Sequence, residues 1–98
     1  MPAELSPEAA RDLKDVLRAS RRFGALQART MAAKLRLRLD RIAAGEGHGH
    51  IHPDLTTKRR ILCATVPPIL IFYDQDTRRV LRIVDGRRDL PPLLSDHP

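Results

Sequence analysis

The stretch RRVLRIVDGRRDLPPLL, residues 78–94, carries Arg78, Arg79, Arg82, Arg87 and Arg88 with only Asp85 and Asp89 as local counter-charge. Guanidinium groups at that density serve two kinds of chemistry. They hold the carboxylates or phosphates of a partner, or they stabilise the charge that develops on phosphorus when RNA is cut. Cleavage also demands a group that takes the 2′-hydroxyl proton and another that protonates the leaving oxygen. Arg60, Arg82 and Arg88 could hold the phosphate. Proton carriers are scarcer: Asp85 and Tyr73 lie nearby, and His97 stands near the end of the chain. This imbalance favours docking over catalysis, with Arg59, Arg60, Arg82, Arg87 and Arg88 as the contact residues and the apolar Leu93 and Leu94 beyond them.

Two other patterns invite chemistry. In GHGHIHPD, His48, His50 and His52 alternate, so an extended backbone would put three imidazoles on one side, as a zinc, nickel or copper site requires. Nothing else in the chain completes the coordination, so a mobile polar loop is the simpler expectation, with no metal and no cofactor. Cys63 sits among aliphatic residues with no base beside it in sequence, which describes a small core residue and not a nucleophile.

The whole chain is basic. It has 98 residues, 18 Lys and Arg against 12 Asp and Glu, a formal charge of +6, and one cysteine. Such a surface attracts nucleic acid, anionic membrane or acidic protein. Only Phe23, Phe72 and Tyr73 could stack on bases, which argues against a single-strand reading platform. With one cysteine there is no internal disulfide framework, and no apolar leader follows the opening residues, so a cytoplasmic protein is expected. No apolar run reaches the length needed to cross a bilayer.

The elements that must position these residues follow from periodicity. LSPEAARDLKDVLRASRRFG offers Ser6 as N-cap, Pro7 at the first helical position and Glu8 at the positive end of the dipole. Ala9, Leu13, Val16, Leu17 and Ser20 form its inward stripe, while Arg11, Asp15, Arg18 and Arg22 point away, and Gly24 stops it. A second helix follows, with Ala28, Met31, Ala32, Leu35, Leu39 and Ile42 inward, Leu37 off the stripe and Gly45 as its C-cap. The short break at Gly24 forces an antiparallel αα-hairpin over about 6–45. A Gly-rich loop over 46–57 leads to KRRILCA, PILIFYD and RRVLRIVD, three strands of an antiparallel meander over about 58–86, before a tail at 87–98.

The expectation is therefore an α+β fold in one domain, 1–98: an N-terminal antiparallel αα-hairpin packed on a small antiparallel β-sheet whose other face is free. On the last strand, strict alternation puts Val80, Arg82 and Val84 on one side and Leu81, Ile83 and Asp85 on the other. An unpaired buried cation costs several kcal/mol, so Arg82 is expected on the open face.

The order of LSPEAARDLKDVL, KRRIL, LIFYD and RRVLRIVDGRRDLPPLL resembles the ParE branch of the RelE/ParE superfamily of type II toxins, the most specific part being Val80–Leu90. The resemblance implies a growth-arresting, plasmid-stabilising toxin that inhibits DNA gyrase and is neutralised by an acidic, ParD-like antitoxin in a hetero-oligomer. Operator DNA would be met only through that antitoxin. The RelE branch, which cuts mRNA in the ribosome, is the alternative; for it, Arg60, Arg82, Asp85 and Arg88 would be the catalytic set. Asp85 stands where many relatives carry histidine, so a histidine's role does not transfer; an acid there can pair with Arg87 and Arg88 and order the turn.

Overall fold

The computed structural model describes residues 3–46, 49–50 and 61–87. Helix α1 (Pro7–Ser20) runs through a 3-10 turn at Arg21–Phe23 into helix α2 (Ala25–Ala43), and strands β1 (Ile61–Val66), β2 (Ile69–Asp74) and β3 (Val80–Asp85) follow. The sheet is antiparallel throughout, in the order β1-β2-β3. This is the α+β arrangement expected, a helical pair followed by a three-stranded meander.

Each helix end is made by the residues that predict it. Ser6 has extended dihedrals (φ −64°, ψ 160°), and its hydroxyl accepts from Ala9 N–H at 3.0 Å, which satisfies one of the four unpaired donors at a helix start. Gly24 (φ 103°) reverses the chain in a conformation that side-chain-bearing residues avoid. At the end of α2, Gly45 (φ 78°) donates to Ile42 O and Glu46 donates to Arg41 O, the paired bonds of a Schellman motif.

The inward stripes meet one face of the sheet. Ala9, Leu35, Leu39 and Ile42 are buried against Ala64, Val66, Ile69, Ile71, Tyr73, Val80 and Ile83, with Leu13, Val16, Leu17 and Met31 half-buried around them. The opposite face corrects an expectation. It is not an open surface bordered by arginines: Ile61, Cys63 and Phe72 are buried there, and Leu70, Leu81 and Val84 pack against them.

Strict alternation also fails on β3. The register runs Ile71 with Ile83 and Phe72 with Arg82, then shifts so that Tyr73 pairs with Val80. A bulge places one extra residue in β3, so Val80 and Ile83, three positions apart, both join the helix-side core.

The outer edge of β3 is closed by the beginning of the chain. Val80 N–H donates to Glu4 O, Ser6 N–H donates to Val80 O, and the Ser6 hydroxyl donates to Leu81 O at 2.8 Å. Beyond these, Asp12 on α1 takes over. Its Oδ2 accepts from Arg82 Nε at 2.6 Å and from Ile83 N–H at 3.0 Å, and its Oδ1 accepts from Arg82 Nη2 at 3.1 Å. One carboxylate thus replaces the missing neighbour strand and neutralises the strand's own cation. Arg82 is therefore not aimed at an open face; its side chain is 19% exposed and Asp12 14%. The burial cost that argued for exposure is offset by a fork-shaped ion pair.

Two variants test this edge. Asp12→Ala leaves Arg82 and the Ile83 amide without an acceptor and should lower unfolding free energy by about 3 kcal/mol, at the low end for breaking a largely buried pair; in an Asp12→Ala background, Arg82→Ala should cost much less than it does alone. Ser6→Ala removes a cap and orphans a strand carbonyl, for a loss of about 2 kcal/mol. Urea denaturation of each variant checks both, and a loss below about 0.5 kcal/mol would count against the bonds described.

Candidate functional site

Of the five arginines in the strand-to-tail segment, four lie in the described residues; Arg78, Arg82 and Arg87 have hydrogen-bond acceptors within the chain, and Arg79 has an acid nearby. Arg78, in the left-handed region (φ 63°), donates from Nη1 to Ala43 O at 3.2 Å, adding a cationic cap to the carbonyl end of α2. Arg79 Nε lies 3.7 Å from Glu4 Oε1. Arg82 is held by Asp12. Arg87 donates from Nε to Asp85 Oδ1 at 3.0 Å and from Nη2 to Asp85 Oδ2 at 2.6 Å, while its backbone N–H also meets Oδ1. That hydrogen bonding, with the charge of the same carboxylate, holds the Arg87 proton more firmly than usual. Asp85 orders the turn with Arg87, as its position suggested.

The four described arginines are therefore spread along the fold, each beside a partner of its own. Arg87 keeps most of its surface, at 73% side-chain exposure, with donors beyond those given to Asp85. Arg59, Arg60, Arg88, Leu93, Leu94 and His97 lie outside the described residues.

Two of the three proton carriers, Tyr73 and Asp85, lie in the described residues, and both are occupied. Tyr73 is 4% exposed, and its hydroxyl accepts from Gly49 N–H at 3.0 Å; a side chain at position 49 would run into the Tyr73 ring. Asp85 is engaged by Arg87. Cys63 is fully buried, and burial pushes its thiol up, the opposite of what a nucleophile needs. His50 pairs with Cys63 through the backbone, extending the edge of β1, while His48 and His52 lie outside the described residues. Among the described residues, no three His, Cys, Asp or Glu side chains gather at a metal-binding distance.

What the strand pattern did not reveal is concavity. A cleft of about 870 Å³ opens between α1 and α2, its wall built from Leu5, Leu13, Leu17, Leu35 and Leu39, with Arg36 and Asp40 also lining it. A second groove, about 480 Å³, lies between α1 and β3, where Val16, Met31 and Phe23 meet Asp15, Arg82 and Arg87. Phe23 is 74% exposed, Leu26 75% and Leu37 55%, so the off-stripe leucine expected at the surface is there. The signal that could have located the first cleft is the alanine content of its wall: Ala32, Ala43 and Ala44 lie where larger residues would have filled it.

Apolar concavities edged by charge suit a macromolecular partner better than a small substrate with a polar reaction centre. No helix among the described residues is long and apolar enough to cross a membrane. A comparison with curated proteins finds no match. A family model described as the ParE toxin of the type II toxin-antitoxin system, parDE, matches residues 3–90, covering both helices and all three strands. The chain belongs to the ParE toxin family, and its role is that of the toxin in a type II toxin–antitoxin pair.

Proposed function

We propose that this toxin arrests replication by binding DNA gyrase without cutting nucleic acid, and that an acidic ParD-like antitoxin neutralises it. The observation that carries this reading is the state of the two proton carriers among the described residues. Tyr73 is packed behind Gly49 and Asp85 is engaged by Arg87, so neither stands ready to shuttle a proton on an exposed phosphate. The apolar helix cleft and the exposed Phe23 and Leu26 supply what binding requires instead.

The antitoxin segment fits the cleft between α1 and α2. An amphipathic helix can lay its aliphatic face against Leu13, Leu17 and Leu39 and its acidic face toward Arg36, the helix-in-groove mode of recognition. Arg87, with Arg59, Arg60, Arg88, Leu93 and Leu94, would extend the contact from the sheet end. Arg82 is left out of that set, because its donors serve Asp12.

Supercoiling by purified gyrase should fall as the toxin is added and recover when the antitoxin follows. Unchanged supercoiling at saturating toxin, together with codon-positioned breaks in primer extension on messages from induced cells, would overturn the proposal in favour of mRNA cleavage. Within the same scheme, Arg36→Glu should weaken antitoxin binding about tenfold, about 1.4 kcal/mol, measured by titration calorimetry; unaltered affinity would place the antitoxin elsewhere.

A further inference from the structure

While the arginines of β3 are paired, a different set of cations is not. Arg11, Lys14, Arg18, Arg21 and Arg22 are all exposed, and among the described residues none of the five is ion-paired. At 3.6 residues per turn, Arg11 and Arg18 lie nearly in line on the side of α1 opposite Ala9 and Leu13, with Lys14 between them. Arg21 and Arg22 continue the series through the 3-10 turn.

Two exposed acids stand beside this ridge: Glu8 precedes Arg11 by three residues, and Asp15 follows Arg11 by four and precedes Arg18 by three. Asp12 is bonded to β3, and Asp15 lines the groove beside it. The ridge is about 16 Å long from Arg11 to Arg22, taking about 1.5 Å per residue. The exposed Phe23 follows directly after Arg22, and neither aromatic nor amide side chains stand between Arg11 and Arg22. That composition lacks the aromatic or aliphatic anchor that protein interfaces use at their centres. It also lacks the rings that single strands stack on and the amides that read base edges.

We infer that the outer ridge of α1 binds the phosphate backbone of duplex DNA without sequence preference, a contact made by the toxin itself and additional to any made through an antitoxin. Measured along the duplex axis, about 16 Å covers about five phosphates of one strand at 3.4 Å each; because the strand winds away from a straight ridge, five is the upper bound on the contacts. The binding is independent of the antitoxin cleft and of the gyrase reading.

Fluorescence anisotropy of the full chain with a fluorescent random-sequence DNA duplex, repeated over a range of salt, tests it. Five phosphate contacts predict a slope of about −4.5 in log affinity against log salt, and three contacts about −2.7. The triple variant Arg11→Gln, Lys14→Gln, Arg18→Gln should flatten the slope to about −1.8 and weaken binding at least tenfold at low salt. Circular dichroism of this neutral variant confirms that α1 is retained. Lys34→Gln with Arg41→Gln, exposed on α2, should leave the slope unchanged. The inference is overturned if the triple variant binds like the parent, if the α2 variant loses as much, or if a poly-glutamate peptide or an RNA duplex competes more strongly than DNA.

Discussion

The carboxylate of Asp12 decides how the two halves of this fold hold together. An edge strand with an arginine in the middle has two liabilities, a row of unsatisfied amides and a charge near the core. Asp12 answers both from one position, taking the Ile83 amide and the Arg82 guanidinium together. The helix is thereby fixed in register along β3, because moving α1 by one residue would swing the carboxylate about 100° away from both donors. The apolar stripe alone, built of Ala9, Leu13, Val16 and Leu17, could slide; a bonded carboxylate does not.

Fixing α1 in this way determines what remains at the surface. Asp12 is committed to the sheet, so the outer side keeps an excess of cations, Arg11, Lys14 and Arg18 against the exposed Glu8 and Asp15, while the flank toward α2 is apolar and forms the long cleft with Leu35 and Leu39. Three chemically distinct surfaces therefore arise from one amphipathic helix. On the sheet, Arg78, Arg79 and Arg82 are turned to partners within the chain, at the end of α2 and along the strand edge.

Much of the architecture was legible in the sequence because it rests on local rules. Ser6, Pro7, Gly24 and Gly45 mark helix ends through dihedral preference and capping, and those ends are where they should be. The helical stripes and the three strands follow from periodicity. The placement of Arg82 did not follow, because its partner lies seventy positions away and the bulge after Phe72 breaks the two-residue period. Sequence proximity shows the density of the arginines but not their partners: Asp85 on Arg87 is local, while the Ala43 carbonyl on Arg78, Glu4 beside Arg79 and Asp12 on Arg82 come from distant parts of the chain. The buried far face was missed for a related reason, since alternation tells which residues share a side but not whether that side is covered.

The Ser6 hydroxyl bridges the first turn of α1 to a carbonyl of the last strand, across seventy-five positions. The early helix therefore emerges from a ribosome without its docking surface, and its cap, its edge and its ion pair all wait for β3. Local helix formation cannot complete the toxin during synthesis; closure comes late and depends on non-local contacts, which makes assembly slower than the two short helices would suggest. A nascent chain of this kind has no finished fold until β3 has been made.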